Sequence, residues 1–329
     1  MDLEKIEFLP DDFEFVGDKQ DITKDVVAPS LPAWKDSLNR FKKNKGAVIG
    51  LICILVIAVF AIFAPMLSSY EFDAINTKIA SISPCAEHFF GTDTYGRDLF
   101  VRVWTGTRYS LFIAVVAIFI DVIVGMTYGL ISGYFGGKVD SVMQRIQEII
   151  NSIPTLVILT LLLMVMKASL FTIIMALSFT EWIGMSRITR AQVLRVKEEE
   201  FVLASRTLGA SNMFIIFKEI LPNIYSQMII MIMMSIPNAI FYEAYLSFVG
   251  LGLPIPMASL GTLINDGFNS ITIYPYMMVI PVIIFSILML SFNTYLVTDF
   301  VMHLIQLWRR CNYGRKRKNI RSQRFKYLF

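Results

Sequence analysis

The stretch Glu198–Pro222, EEEFVLASRTLGASNMFIIFKEILP, is a polar and amphipathic island between two strongly apolar runs. Its spacing predicts two short helices. The first carries Phe201, Val202, Ala204 and Leu208 and stops at Gly209, because glycine reaches the left-handed conformation that ends a helix without steric cost. Ser211 or Asn212 then caps a second helix, whose apolar positions Met213, Ile216, Phe217 and Ile220 fall at helical spacing. Pro222 is expected to stop it, since proline has no amide to continue the ladder. A helix–glycine–helix hairpin of this kind suits a surface that another protein grips. Physics alone equally allows an amphipathic loop lying on a membrane surface.

On both sides of the hairpin the chain is too apolar for a soluble domain. Of its 329 residues 55% are hydrophobic, and the mean hydropathy is +0.60. That composition points to an all-α, polytopic membrane protein. Six crossings are expected, at about 47–67, 110–132, 142–166, 170–185, 224–249 and 276–303. The first is uncharged and long enough for a hydrocarbon core of about 30 Å. Residues 1–46 form a leader in which Trp34–Asn44 can make a short surface helix, and residues 304–329 form a basic tail. The leader is acidic, and the first apolar run starts only at Ala47 and is too long for a signal-peptide core, so it stays as a span.

Charge orients the six crossings. With the leader, the 134–145 turn, the hairpin region 186–223 and the tail on one side, that side holds 25 of the 30 lysines and arginines. The bias places both termini and the hairpin in the cytoplasm. The tail then reads as a contact for anionic membrane lipids, and its juxtamembrane position argues against nucleic acid.

Polar residues inside the crossings are candidates for a translocation path. Asp121 falls near the middle of the second crossing, where a charge costs at least about 2.5 kcal/mol in lipid. Either it hydrogen-bonds a neighbouring helix or it meets substrate. The fifth crossing carries Gln227, Ser235, Pro237, Asn238, Glu243, Tyr245 and Ser247, a stripe that suits a wet cavity or polar glue between helices. Asp121, Asn238, Glu243 and Tyr245 are the path candidates. Ahead of the second crossing, Asp98–Arg108 reads as an interfacial helix, with Trp104 at headgroup depth and Arg97, Arg102 and Arg108 turned outward or toward lipid phosphates. Pro154 lies inside the third crossing, where neighbouring helices can satisfy the freed carbonyl.

Signs of chemistry are few. Cys53, Cys85 and Cys311 are far apart and suggest no disulfide framework. With only His88 and His303, no metal-ligand cluster is visible. Gly136-Gly137-Lys138 fails as a phosphate loop, because Ser132 stands where the first glycine belongs and Val139 follows the lysine. The chain therefore carries no evident nucleotide site or catalytic constellation.

The run Phe201-Val202-x-Ala204-x-Arg206-x-Leu208-Gly209-Ala210-Ser211, with Ile220-Leu221-Pro222-Asn223 after it, resembles the "EAA" coupling loop of bacterial ABC importer permeases. Leu203-Ala204-Ser205 replaces the family's Glu-Ala-Ala core, so the acidic position is lost. The Gly-Thr-Asp and Gly-Arg-Asp signatures at 91–93 and 96–98, and Leu246–Gly267 with Gly250-Leu251-Gly252, are similar to the subgroup that imports di- and oligopeptides and sometimes nickel. Within it, the resemblance is to the subunit with the long N-terminal leader. The resemblance implies a type I importer fold of six crossings with a cytoplasmic coupling hairpin. It implies that Ala204, Ser205, Arg206, Leu208, Gly209, Ala210, Ser211, Phe217, Leu221 and Pro222 dock on an ATPase. It further implies two ATPase subunits that bind ATP and Mg, a second homologous permease and an external peptide-binding protein, with no cofactor or metal on this chain. The competing reading from the residues is a secondary transporter driven by an ion gradient through Asp121 and Glu243, but no internal repeat supports it.

Overall fold

The computed structural model describes Lys42 and residues 45–293. Most of the leader with its expected surface helix, the end of the sixth crossing with Asp299, and the basic tail lie outside the described residues. Among the described residues there are helices and loops and no strand, only the isolated bridge Thr92–Asp98.

Helix α1 (Lys45–Leu67) is apolar all round and lies along the bundle. Ile57, Ala61 and Ala64 face inward, while Ile52, Leu55 and Phe63 stay exposed, as lipid or another membrane subunit requires. Helix α2 (Leu99–Phe135) is 37 residues long and is the central rod. It corrects one expectation: the interfacial helix Asp98–Arg108 is not separate but is the first third of α2. Arg97 and Arg102 are also not turned outward. Both are buried, and only Arg108 is exposed.

The reason is Asp93. Its carboxylate accepts the backbone N–H groups of Tyr95 and Arg97 and the Arg97 Nε at 2.6 Å, and Arg102 Nε stands 3.4 Å away. Three hydrogen bonds and a second guanidinium around one carboxylate outweigh the solvation that a surface arginine would keep. Asp98 caps α2 through the Val101 amide, and its second oxygen lies 2.7 Å from His88 Nδ1. Trp104 is likewise buried, its ring 5.0 Å from that of Phe60 on α1. This plug marks the end of the molecule remote from the hairpin, called here the far side.

The third crossing is not one helix over 142–166. Helix α3 (Gly137–Asn151) and helix α4 (Thr155–Met166) meet at 76°. Pro154 has no amide to give and its ring clashes with the preceding turn, so α3 closes with Ser152 N–H on the Glu148 carbonyl and α4 starts afresh. Twelve residues of α4 rise only about 18 Å. Helix α5 (Leu170–Val196) starts as expected after a short turn but runs on well past residue 185.

Helices α2 and α5 touch backbone to backbone. A Cβ on Gly125, Gly129 or Gly133 would lie 2.5 Å from the Trp182 carbonyl, 2.5 Å from the Ser186 carbonyl and 2.8 Å from Val193 Cβ respectively. Three glycines four residues apart make a flat stripe on one face of α2, the usual route to close helix packing in lipid.

The hairpin follows α5 and leads into helix α8 (Leu221–Leu246). On the far side, helix α9 (Leu260–Asn269) opens with a capping box between Ser259 and Thr262. Helix α10 (Tyr276–Leu290) returns through the bundle, and Tyr276 Oη lies 2.9 Å from the carbonyls of both Ile82 and Thr92. Four helical stretches are long and apolar enough to cross a membrane: Lys45–Leu67, Leu99–Phe135, Gln227–Leu251 and Tyr276–Asn293. The bent α3–α4 pair makes a possible fifth.

Candidate functional site

The hairpin is built by the local rules its sequence suggests, with two exceptions, at Pro222 and at the face of its second arm. Helix α6 (Glu200–Thr207) ends at Gly209, whose φ is +80°, and the Ala210 amide closes back on the Ser205 carbonyl at 3.1 Å. Ser211 is the cap of helix α7 (Asn212–Phe214), accepting the Phe214 amide at 3.3 Å.

Pro222 does not stop the second helix. The backbone keeps helical dihedrals from α7 through a π turn, Ile215–Ile220, into α8. In that turn the Leu221 amide reaches the Ile216 carbonyl, five residues back. The wider register ends just before Pro222, which then occupies the first turn of α8, where a missing amide costs least. The hairpin's second arm and α8 are therefore one continuous rod. The first arm follows α5 after a short break at Lys197–Glu199.

The π turn also rotates the face of the second arm. Ile215, Ile216 and Ile220 point inward with Val202, against Leu130, Tyr134, Met185, Val193 and Val196. Met213 and Phe217, expected on the same face as Ile216 and Ile220, point outward. They join Leu203, Phe214 and Leu208, which is 88% exposed, in an apolar outer surface. Of the other expected docking residues, Ala204, Arg206, Gly209 and Ser211 are exposed, and Ser205, Ala210, Leu221 and Pro222 are half-buried.

Beneath the hairpin is a polar seat that the sequence did not reveal. Tyr134, at the end of α2, donates its hydroxyl to Asn212 Oδ1 at 2.8 Å, and the Arg206 guanidinium stands 5.7 Å from its ring centroid. Lys197 Nζ donates to the Gly133 carbonyl at 2.9 Å. Arg190 of α5 grips Asp140 of α3 with two bonds of 2.6 Å, and Ser132 Oγ adds a third at 2.5 Å. The Arg190 guanidinium, helped by the Ser132 hydroxyl, holds the Asp140 carboxyl below the ordinary carboxylate range. Gln147 Nε2 donates to Ser186 Oγ at 2.6 Å. Apart from Ser132 and Asp140, these partners are 39 to 78 residues apart in the chain. No local pattern signals such pairs, although the spacing of Gly125, Gly129 and Gly133 is a legible sign that α2 meets another helix closely.

The four path candidates do not converge. Glu243 is wholly buried; Ser110 donates to one carboxylate oxygen at 2.7 Å and Ser247 to the other at 2.8 Å, with Ser259 3.1 Å behind Ser247. This knot ties α2, α8 and the start of α9. Asp121 is buried on α2. Asn238 and Tyr245 are exposed, seven residues apart and so on one face of α8.

A bundle of apolar rods carrying a seated, outward-facing hairpin is the architecture of a membrane permease. The chain belongs to the family described as "Binding-protein-dependent transport system inner membrane component", which matches residues 125–301. Residues 33–84 match the N-terminal TM domain of oligopeptide transport permease C. Among curated relatives, the oligopeptide transport system permease protein OppC of Bacillus subtilis is 45% identical over 84% of this chain and 90% of its own length. The dipeptide transport system permease protein DppC of the same organism is 41% identical over 87% of this chain and 90% of its own length. OppC of Escherichia coli is 40% identical over 79% of this chain and 87% of its own length. The all-α, multi-span permease fold expected from the sequence is thus the fold of this chain.

Proposed function

We propose that this chain is the membrane permease subunit of an ATP-driven importer that moves di- and oligopeptides across the bacterial cytoplasmic membrane by alternating access. The peptide cargo is supported by the names of its relatives. Nothing comparable supports an ion-gradient-driven transporter. The observation that carries the mechanism is the hairpin: an exposed apolar tip on a seated base, continuous with α8 and adjoining α5.

Leu208, Met213, Phe214 and Phe217 are too apolar to face water for long, and they suit a cleft on a soluble partner. The docking role falls to Ala204, Ser205, Arg206, Leu208, Gly209, Ala210, Ser211, Phe217, Leu221 and Pro222. The partners are two ATPase subunits, which bind ATP and Mg and carry out hydrolysis. This chain binds no cofactor. Closure of the ATPases pushes the hairpin, and a helical rod passes the movement to α8 without a joint to absorb it. A second homologous permease completes the path, and an external peptide-binding protein delivers cargo to the far side. The hairpin and both termini face the cytoplasm, in line with the charge bias.

The test is a Ser211→Cys variant in the assembled complex. Crosslinking to an ATPase subunit and ATP-dependent peptide uptake are expected. Peptide uptake driven by an ion gradient without ATP, or labelling of the introduced thiol by an impermeant reagent from outside intact cells in a Ser211→Cys, Cys85→Ser chain, would overturn the reading.

A further inference from the structure

Asp121, Glu181 and Glu243 lie inside apolar runs that hold no cation to match them. There is no lysine, arginine or histidine in 109–137, 168–186 or 219–293. Glu243 is satisfied by serine hydroxyls. Asp121 is not. It is 4% exposed, and its Oδ1 is buried without a hydrogen-bond partner. A buried carboxylate without donors is costly unless something else meets it.

What it faces follows from two contacts that bracket it. One turn before Asp121, the Ala117 carbonyl accepts from Ser178 Oγ of α5 at 3.4 Å. One turn after, Gly125 meets the Trp182 carbonyl. Asp121 therefore lies against α5 between Ser178 and Trp182, and Glu181 is the acid there. Glu181 stands three residues after Ser178 and next to Trp182, at the edge of the strip of α5 that meets Asp121, and Tyr242 of α8 packs against the cluster of Ala117 and Leu177, one turn away from each acid. Glu181 and Tyr242 are only half-buried, so the cluster is reachable from outside the chain. The Trp182 ring packs against Tyr128 of α2 with centroids 4.7 Å apart and planes tilted by 58°, on the Asp121 side of that helix.

We propose that Asp121 and Glu181, with Tyr242 and the tilted Trp182–Tyr128 pair beside them, form an ammonium-binding station on the translocation path, taking the protonated α-amino group of a passing peptide. The chemistry fits: Glu181 supplies a half-exposed carboxyl group and Asp121 an unpartnered acceptor oxygen, aromatic rings supply the faces that favour cations, and the adjoining stretches of helix offer no competing positive group. Glu181 makes first contact from its half-exposed position, and the unpartnered Asp121 Oδ1 accepts behind it. The assignment rests on the peptide-import reading above.

The test measures peptide uptake by the assembled, ATP-energised complex with wild type, Glu181→Gln and Glu181→Asp, each confirmed to co-purify with its ATPase subunits. Near pH 7 the peptide amine is charged, and Glu181→Gln is expected to raise KM by about tenfold, the scale of one charge-assisted hydrogen bond. Glu181→Asp should restore KM to within about threefold of wild type. Near pH 9 the α-amine, with an ordinary pKa of about 8, is largely neutral, so the Gln-to-wild-type ratio of KM should fall toward one. A ratio of one at pH 7, a ratio that stays flat between the two pH values, or a loss in kcat alone would overturn the proposal and leave a proton-holding or structural pair. Absence of any ATP-driven peptide uptake by wild type would instead refute the import reading itself.

Discussion

Tyr134 is the residue on which the seating of the hairpin can be measured. Its hydroxyl bonds Asn212, its ring lies under Arg206, and the side chain is 7% exposed within the cluster of Val202, Ile215 and Ile216. Tyr134→Phe keeps the ring and removes one hydrogen bond, a net loss of about 1 kcal/mol. If α6 and α7 open as a local unit, that loss raises the open population about fivefold. Tyr134→Ala removes the ring as well. Truncating a buried aromatic costs about 3–5 kcal/mol, enough to leave the hairpin largely unseated. Hydrogen–deuterium exchange of the amides from Val202 to Ile215, read in the assembled complex, is the assay. Exchange in wild type should be slowest, Tyr134→Phe about fivefold faster, and Tyr134→Ala near the rate of an unprotected loop. ATP-driven uptake should fall in the same order while ATP hydrolysis persists. Equal exchange in wild type and Tyr134→Ala would refute the reasoning, because it would mean that the ring and its bond do not hold the hairpin.

Three further expectations follow from the same geometry. Gly209 sits at φ +80°, so Gly209→Ala should cost about 1 kcal/mol, whereas Gly209→Pro, which cannot adopt that angle, should abolish coupled uptake with membrane insertion intact; wild-type uptake by the proline variant would contradict the hairpin's role. Gly129→Leu forces a Cβ to within 2.5 Å of the Ser186 carbonyl, a backbone atom that cannot swing aside, so α2 and α5 must part; a loss of about 3 kcal/mol or more is expected in detergent melting, and an unchanged Tm would show that the helices do not touch there. The Asp140 carboxyl is held below its usual value of 3.8 by Arg190, so the clamp's contribution is present above about pH 4 and is lost as pH falls through the lowered value. Asp140→Asn should therefore be less stable than wild type by about 1–3 kcal/mol from pH 8 down to about pH 5, with the gap closing below about pH 4; a gap that stays constant into acid would exclude the carboxylate as its source.

Sequence alone was sufficient wherever the cause was local. Apolar runs separated by charged turns defined membrane rods, because a backbone in lipid must satisfy its own hydrogen bonds within a helix. Gly209 and Ser211 marked the hairpin bend, since left-handed geometry and side-chain capping are properties of one or two residues. Tertiary structure decided whatever depended on a distant partner. Arg97 and Arg102 are inside because Asp93 gathers them. Asp140 finds Arg190 fifty residues on. Pro222 continues a helix because the π turn before it has already shifted the register. Pro154 carried the opposite lesson: alone within an apolar run it was read as tolerated, and whether a neighbouring helix would absorb the break was a question only the folded chain answered. Asp121 shows the same division. Its position named it as a residue of interest, but only the packing of α2 on α5 set it against the strip of α5 that carries Ser178, Glu181 and Trp182, with its Oδ1 buried and unpartnered.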